Sequence, residues 1–215
     1  MPTLIWVVFL AGGFAAWYFF GAAGRLVYAL TVTVVILLFR RQLTIALTHV
    51  ASKFGMVKAT IDKMPMAIKL ARAAAMDEDA KPVAAELTAA GFVDAGAWDI
   101  PPMPKIKLAL MVHPVDSFLA AIETASSIGA QLNVHTLYSD GGVTTYTNSK
   151  LPGPKAQRPG VTSVRMPGAS VAALLSQARN DRRRDGISAL SADDAPRIYE
   201  RLHTESIRFR KAQGA

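Results

Sequence analysis

Apolar and polar positions are spread very unevenly along this chain. From Thr3 to Phe39 apolar residues run almost unbroken: 37 residues hold one charge, Arg25, and the run stops at Arg40-Arg41. About 20 such residues cross a ~30 Å hydrocarbon core as a helix. As one straight helix the stretch is about 55 Å long at ~1.5 Å per residue, more than a single tilted crossing needs. The pattern predicts either a helical hairpin or one tilted transmembrane helix with its surplus in the interface or against a partner. The hairpin turns at Gly21-Ala22-Ala23-Gly24-Arg25, where glycine eases chain reversal, and it accounts for the length more directly. Arg25 then sits in water or snorkels to the headgroups.

Beyond the apolar run the periodicity changes. Residues 42–76 read as helical, with Ile45, Val50, Phe54, Val57, Ile61, Ile68 and Leu70 interspersed with lysines, and with breaks at Gly55 and Pro65. Asp77-Glu78-Asp79, Pro82 and Gly91 bracket a further helix, with the acids read as its cap. Phe92-Val93 and Ala97-Trp98 read as a short extended segment, and Pro101, Pro102 and Pro104 then interrupt both helix and sheet. Residues 106–112 form a strand candidate, and 117–124 are taken as another. Residues 132–138 alternate apolar with polar, Asp140-Gly141 supplies a turn, and 143–147 are threonine-rich, which together predict a β-hairpin. A Pro- and Gly-rich loop covers 151–160. A short edge strand at 161–166 precedes helices at 170–180 and 194–211. The fold class expected is α+β: an N-terminal transmembrane helix or helical hairpin, then a cytoplasmic domain with an antiparallel β-meander of three or four strands flanked by helices. The division is 1–39 anchor, 40–76 basic connecting or interfacial helices, and 77–215 α+β domain.

Charge sharpens this picture. The chain carries a formal net charge of +8, and Arg25 is the only charge in the anchor, so the excess lies on the aqueous part. Arg40, Arg41, Lys53, Lys58, Lys63, Lys69 and Arg72 follow the apolar run closely. By the positive-inside bias the body is cytoplasmic and the chain belongs to the inner (cytoplasmic) membrane. The residues before the apolar run, Met1-Pro2-Thr3, hold no Lys or Arg, which argues against a cleaved signal peptide. Basic residues beside a membrane attract anionic headgroups at roughly 1 kcal/mol each. Membrane lipid and the acidic face of a larger integral membrane complex are therefore the expected partners, rather than nucleic acid. Lys53, Lys58 and the triplet Arg182-Arg183-Arg184 are the candidate contacts, although a basic turn is often only solvated. Within the anchor, Trp6, Trp17, Tyr18, Phe20 and Tyr28 suit an interfacial aromatic belt, or a contact with a membrane protein, pigment or quinone. Gly12 and Gly13 offer a small-residue face for a neighbouring helix.

Candidate chemistry is sparse. There is no cysteine, so disulfides, thiolate metal sites and thiol nucleophiles are excluded. The four histidines, His49, His113, His135 and His203, show no HExxH or other close pairing. No metal and no cofactor is expected. No G-x-S-x-G elbow, P-loop or G-x-G-x-x-G is present. His135 is read as an outward strand residue.

The series Gly91-Phe92, Asp94-Ala95-Gly96, Ile100-Pro101-Pro102-Met103-Pro104, His113-Pro114, Asp140-Gly141, Arg158-Pro159-Gly160 and Met166-Pro167-Gly168-Ala169-Ser170 resembles a group of uncharacterised bacterial proteins. They share a small α+β domain, some with apolar N-terminal helices. The resemblance spans about residues 82–175 and rests on turn residues and prolines, so it implies a fold and no activity. The function expected is a non-enzymatic membrane-anchored accessory or assembly subunit of a larger membrane complex, of respiratory or photosynthetic type, with the basic domain over its cytoplasmic face. The alternatives are an anionic-lipid-binding module, and an enzyme whose site is built from His113, Glu123 and His135.

Overall fold

A computed structural model of the chain describes residues 67–126, 129–151 and 157–213, together with Ala23, Leu26, 28–34, Leu37 and Gln42. The chain divides into two compact units, Met1–Thr44 and Ile45–Ala215.

In the first unit the described residues are helical, and the Thr33 hydroxyl donates to the Ala29 carbonyl one turn back at 2.8 Å. Leu26, Leu30, Val34 and Leu37 recur at helical spacing and are 65%, 58%, 52% and 61% exposed. One side of this helical segment thus carries large uncovered apolar side chains. Among the described residues no helix is long and apolar enough to cross a membrane. Trp6, Gly12, Gly13, Trp17, Tyr18, Phe20, Arg25, Arg40, Arg41, Lys53 and Lys58, and with them most of the expected anchor, lie outside the described residues. Tyr28 is helical and half-buried.

The second unit is built on one seven-stranded sheet in strict sequence order. Its strands are β1 (Ala71–Arg72), β2 (Val93–Asp99), β3 (Lys107–His113), β4 (Phe118–Ala125), β5 (Gly129–Leu137), β6 (Val143–Thr147) and β7 (Val161–Arg165). Pairing is antiparallel from β1 to β6, and β7 lies parallel to β6. The helices are α1 (Lys81–Ala89), α2 (Val171–Asp181) and α3 (Ala195–Ala212).

The expected hairpin is present: Leu137 faces Val143, and Asp140 accepts the Gly142 amide at 2.8 Å inside the turn. Strand β4 shows why the sheet needs cover on both sides. Phe118 through Ile122 are all fully buried, so both parities of this central strand are apolar and neither face can meet water. Side chains alternate between faces along each strand. On the first face Met111, Ile122, Leu132, Val134 and Tyr146 pack under α1 and α2 through Leu87, Leu174 and Leu175. On the second face Leu108, Leu110, Val112, Leu119 and Leu137 pack with Ile68, Ile100 and the start of α3 at Ala195 and Tyr199.

The turn after α1 sets the first layer. Gly91 has φ +95°, and a Cβ there would stand 3.0 Å from His113 Nε2, so only glycine fits without strain. The Phe92 amide then closes back on the Leu87 carbonyl at 3.0 Å. At the other end of the layer Ser170 caps α2, its hydroxyl accepting from the Ala173 amide at 3.3 Å.

Three expectations change. The meander grows from three or four strands to seven with a parallel last pair, because β7 enters the sheet at Val161 running in the same direction as β6. The helix expected to reach residue 76 gives way to extended chain in its described part, 67–76. There Ile68 is buried, Arg72 pairs with Trp98, and the Leu70 amide donates to Glu200 of α3 at 2.6 Å. The acidic triplet does not cap α1 with its side chains. Ala80 is the N-cap residue and makes no side-chain cap bond, and Asp77 instead accepts the Asp79 amide at 3.0 Å.

Candidate ligand-binding groove

The second face of the sheet is largely apolar as far as β4. From β5 onward the same parity turns polar: Gln131, Asn133 and His135 on β5, Thr145 and Thr147 on β6, Ser163 and Arg165 on β7. In register these residues form rows across the sheet. Asn133, Thr147 and Arg165 stand side by side, as do His135, Thr145 and Ser163, followed by Leu137, Val143 and Val161. Helix α3 roofs these rows. Tyr199, Leu202, His203, Ser206, Phe209 and Arg210 follow one another at spacings of three, one, three, three and one, the stripe a single helix face presents. Between floor and roof lies a groove of about 400 Å³, a size typical of small-molecule sites.

Glu123 closes one part of it. Its Oε1 accepts the Tyr199 hydroxyl at 2.8 Å and the Asn133 amide at 3.1 Å. Burial raises the pKa of this carboxyl against the lowering effect of those two donors, which biases it toward the neutral form. Tyr199 is in turn pushed well above its ordinary value by burial and by Glu123. On the floor His135 Nδ1 lies 2.9 Å from the Thr145 hydroxyl, while its Nε2 is buried with no hydrogen-bond partner among the described residues. On the roof His203 Nε2 is likewise buried and unpartnered. Burial lowers both imidazoles to about 4, with the charge of Arg210 adding to the effect at His203. Both rings are therefore neutral at physiological pH.

Three guanidinium groups line the groove. Arg158 is matched by Glu205 at 2.7 Å. Arg165 donates to the carbonyls of Ser149 and Leu151. Arg210 donates to the backbone and hydroxyl oxygens of Ser206, 3.3 and 2.9 Å away, and burial pushes its pKa down. Among the described residues neither Arg165 nor Arg210 pairs with a carboxylate. No group of three or more potential metal ligands is found among the described residues.

The residues singled out in the sequence are distributed as follows. His113 and His135 are on opposite faces of the sheet with β4 between them, so His113, Glu123 and His135 form no common site. His113 is satisfied where it stands: Nδ1 accepts the Asp116 amide at 2.9 Å and Nε2 lies 3.1 Å from the Ala90 carbonyl. His135 was expected to face outward, opposite Leu132, Val134 and Leu137; it does face away from Leu132 and Val134, but it shares its face with Leu137 and is buried under α3. Arg182 joins Arg179 on Asp116, at 3.1 and 2.9 Å. Arg183 grips Asp140 with two hydrogen bonds, 2.8 and 3.0 Å, and lies 3.9 Å over the Tyr138 ring. The hydrogen bond from Arg183 is the main reason Asp140 is lowered to about 2. Arg184 is exposed. The groove residues Arg165, Ser206 and Arg210 were not foreseen. The available signal was the shared polar parity of three successive strands.

No protein-family model matches this chain, and no curated protein or solved structure shows significant similarity to it.

Proposed function

We propose that the chain is a non-enzymatic, membrane-anchored accessory subunit whose α+β domain binds a small molecule on the cytoplasmic face of a larger membrane complex. The observation that carries the binding role is the groove under α3. Its lining includes two neutral imidazoles with unpartnered Nε2 atoms and two guanidiniums with no carboxylate among the described residues. A buried polar atom without a partner costs about 1–3 kcal/mol, which a ligand's own polar groups offset. The anchor rests on the apolar sequence from Thr3 to Phe39, and the uncovered row Leu26, Leu30, Val34 and Leu37 supports it.

Binding is favoured over catalysis by the state of the site. The Thr145–His135 contact pairs a hydroxyl with an imidazole, but that imidazole is a weak base at about 4. Among the described residues no third group orients it, since its Nε2 has no partner there. Glu123 is already occupied by Tyr199 and Asn133. A second reading, contact with anionic lipid, draws on α3 itself. Arg197, Arg201 and Arg208 are exposed and fall within a narrow arc of the helix. Flotation with vesicles containing phosphatidylserine, at low and high salt, separates that reading from the first.

Native mass spectrometry of the full chain, extracted in mild detergent from its own membranes, tests the proposal. The expected spectrum shows an assembly heavier than the monomer and a small-molecule adduct on this subunit. A free, unliganded monomer as the sole species would end it.

A further inference from the structure

The groove's own chemistry narrows its occupant. We infer that the groove takes a small organic monocarboxylate, its carboxylate held by Arg165 from the floor and Arg210 from the roof. The inference rests on the groove being a binding site, as proposed above. Each of these guanidiniums lines the groove, and among the described residues each donates only to neutral oxygens: carbonyls for Arg165, Ser206 for Arg210. A guanidinium keeps its charge when partly buried and presents a planar fork that matches a carboxylate. The third guanidinium, Arg158, is already matched by Glu205 and leaves no excess of its own.

The rest of the lining says what the anion carries. Thr145, Thr147 and Ser163 on the floor, with the free nitrogens of His135 and His203, provide hydrogen bonds for hydroxyl or carbonyl groups. Val143, Val161, Leu202 and Phe209 provide apolar contact for a short hydrocarbon or ring. A phosphate dianion fits less well. Ser206, Phe209 and Arg210 belong to the C-terminal half of α3, where the helix dipole presents its negative end. Among the described residues lining the groove there is also no helix N-terminus of the kind phosphate sites use. The occupant is therefore singly charged, with polar substituents close to its carboxylate.

Mandelate is a suitable probe, because mandelamide has nearly the same shape and no charge. Equilibrium dialysis on the detergent-solubilised full chain compares mandelate, mandelamide and inorganic phosphate, for the native protein and for Arg165→Gln, Arg165→Lys and Arg210→Gln. Circular dichroism checks that each variant folds. The expected result is saturable mandelate binding, with mandelamide and phosphate weaker. Each Gln variant should lose roughly tenfold or more in affinity, with partial recovery in Arg165→Lys. Equal binding of mandelate and mandelamide, unaffected by the Gln variants, overturns the carboxylate assignment while leaving the groove a binding site. Tighter binding of phosphate than of mandelate also overturns it. Absence of binding by all three probes overturns it as well, and a neutral adduct in the native mass spectrum would then keep the groove as a binding site for another class of molecule.

Discussion

The two faces of the sheet solve the same covering problem in different ways. The first face is apolar from β3 to β6 and is closed by two helices that meet it with leucines. The second is apolar over β3, most of β4 and the Leu137–Val143–Val161 row, and over the polar rows of β5 to β7 a single helix leaves a groove. Two histidines show the contrast. His113, on the closed face, has a partner for each ring nitrogen, whereas His135, under α3, keeps one nitrogen without any. Unpartnered hydroxyls also occur on the closed side, at Thr124, Thr136 and Tyr146, but none of these lines the groove. One face is closed by leucines, and the other lines an open groove with polar groups.

Truncation should separate the faces most strongly. Leu174→Ala, in the closed layer, is expected to cost about 2–5 kcal/mol, while Leu202→Ala, over the groove, costs about 1–2 kcal/mol. Denaturant unfolding of the full chain measures both, and equal losses would erase the distinction. Next in size is Gly91→Ala, which forces a side chain into positive φ beside His113 and should cost about 1–3 kcal/mol. Its effect on mandelate binding should be negligible, since the turn serves the closed face only.

Acid should act through the groove. The folded imidazoles of His135 and His203 lie near 4, below their ordinary 6.5. Between those values the unfolded chain takes up protons that the folded chain refuses. Their stabilising contribution is thus complete above pH 6.5 and declines as pH falls toward about 4. Replacing His135 with Gln should flatten that slope in a series of melting temperatures. The smallest effect is expected from Glu123→Gln. The folded carboxyl is raised above its unfolded value, so it favours the fold below about pH 4.5 and loses that advantage as pH rises. The amide keeps an oxygen for Tyr199 and Asn133. It should raise stability at pH 7 and not at pH 4.

Much of the α+β domain was legible in the sequence. The hairpin from Leu132 to Thr147, the strands at β3 and β7, and the helices α2 and α3 all follow from local signals: alternation, an Asp-Gly turn, a serine cap and helical spacing. What was not legible depended on distant partners. β1 is two residues long and carries no pattern of its own, and Ile68 and Leu70 fitted the helical spacing just before them. They are extended because Ile68 enters the second core and the Leu70 amide finds Glu200, 130 residues away. The direction of β7 was hidden in the loop before it. The groove escaped for a related reason: alternation shows that His135 lies opposite Leu132 and Val134, but not that a helix will cover it. The expected contacts at Arg182 and Arg183 likewise gained internal partners, Asp116 and Asp140, from loops remote in sequence.

That a lone helix roofs the polar rows has a thermodynamic consequence. Whatever occupies the space beneath α3 becomes linked to how firmly that helix stays down. An occupant present at a hundred times its dissociation constant would hold the docked form by about 2.7 kcal/mol. Local amide exchange along 195–212 should therefore slow as the occupant's concentration rises, and the helix would act as a gauge of supply.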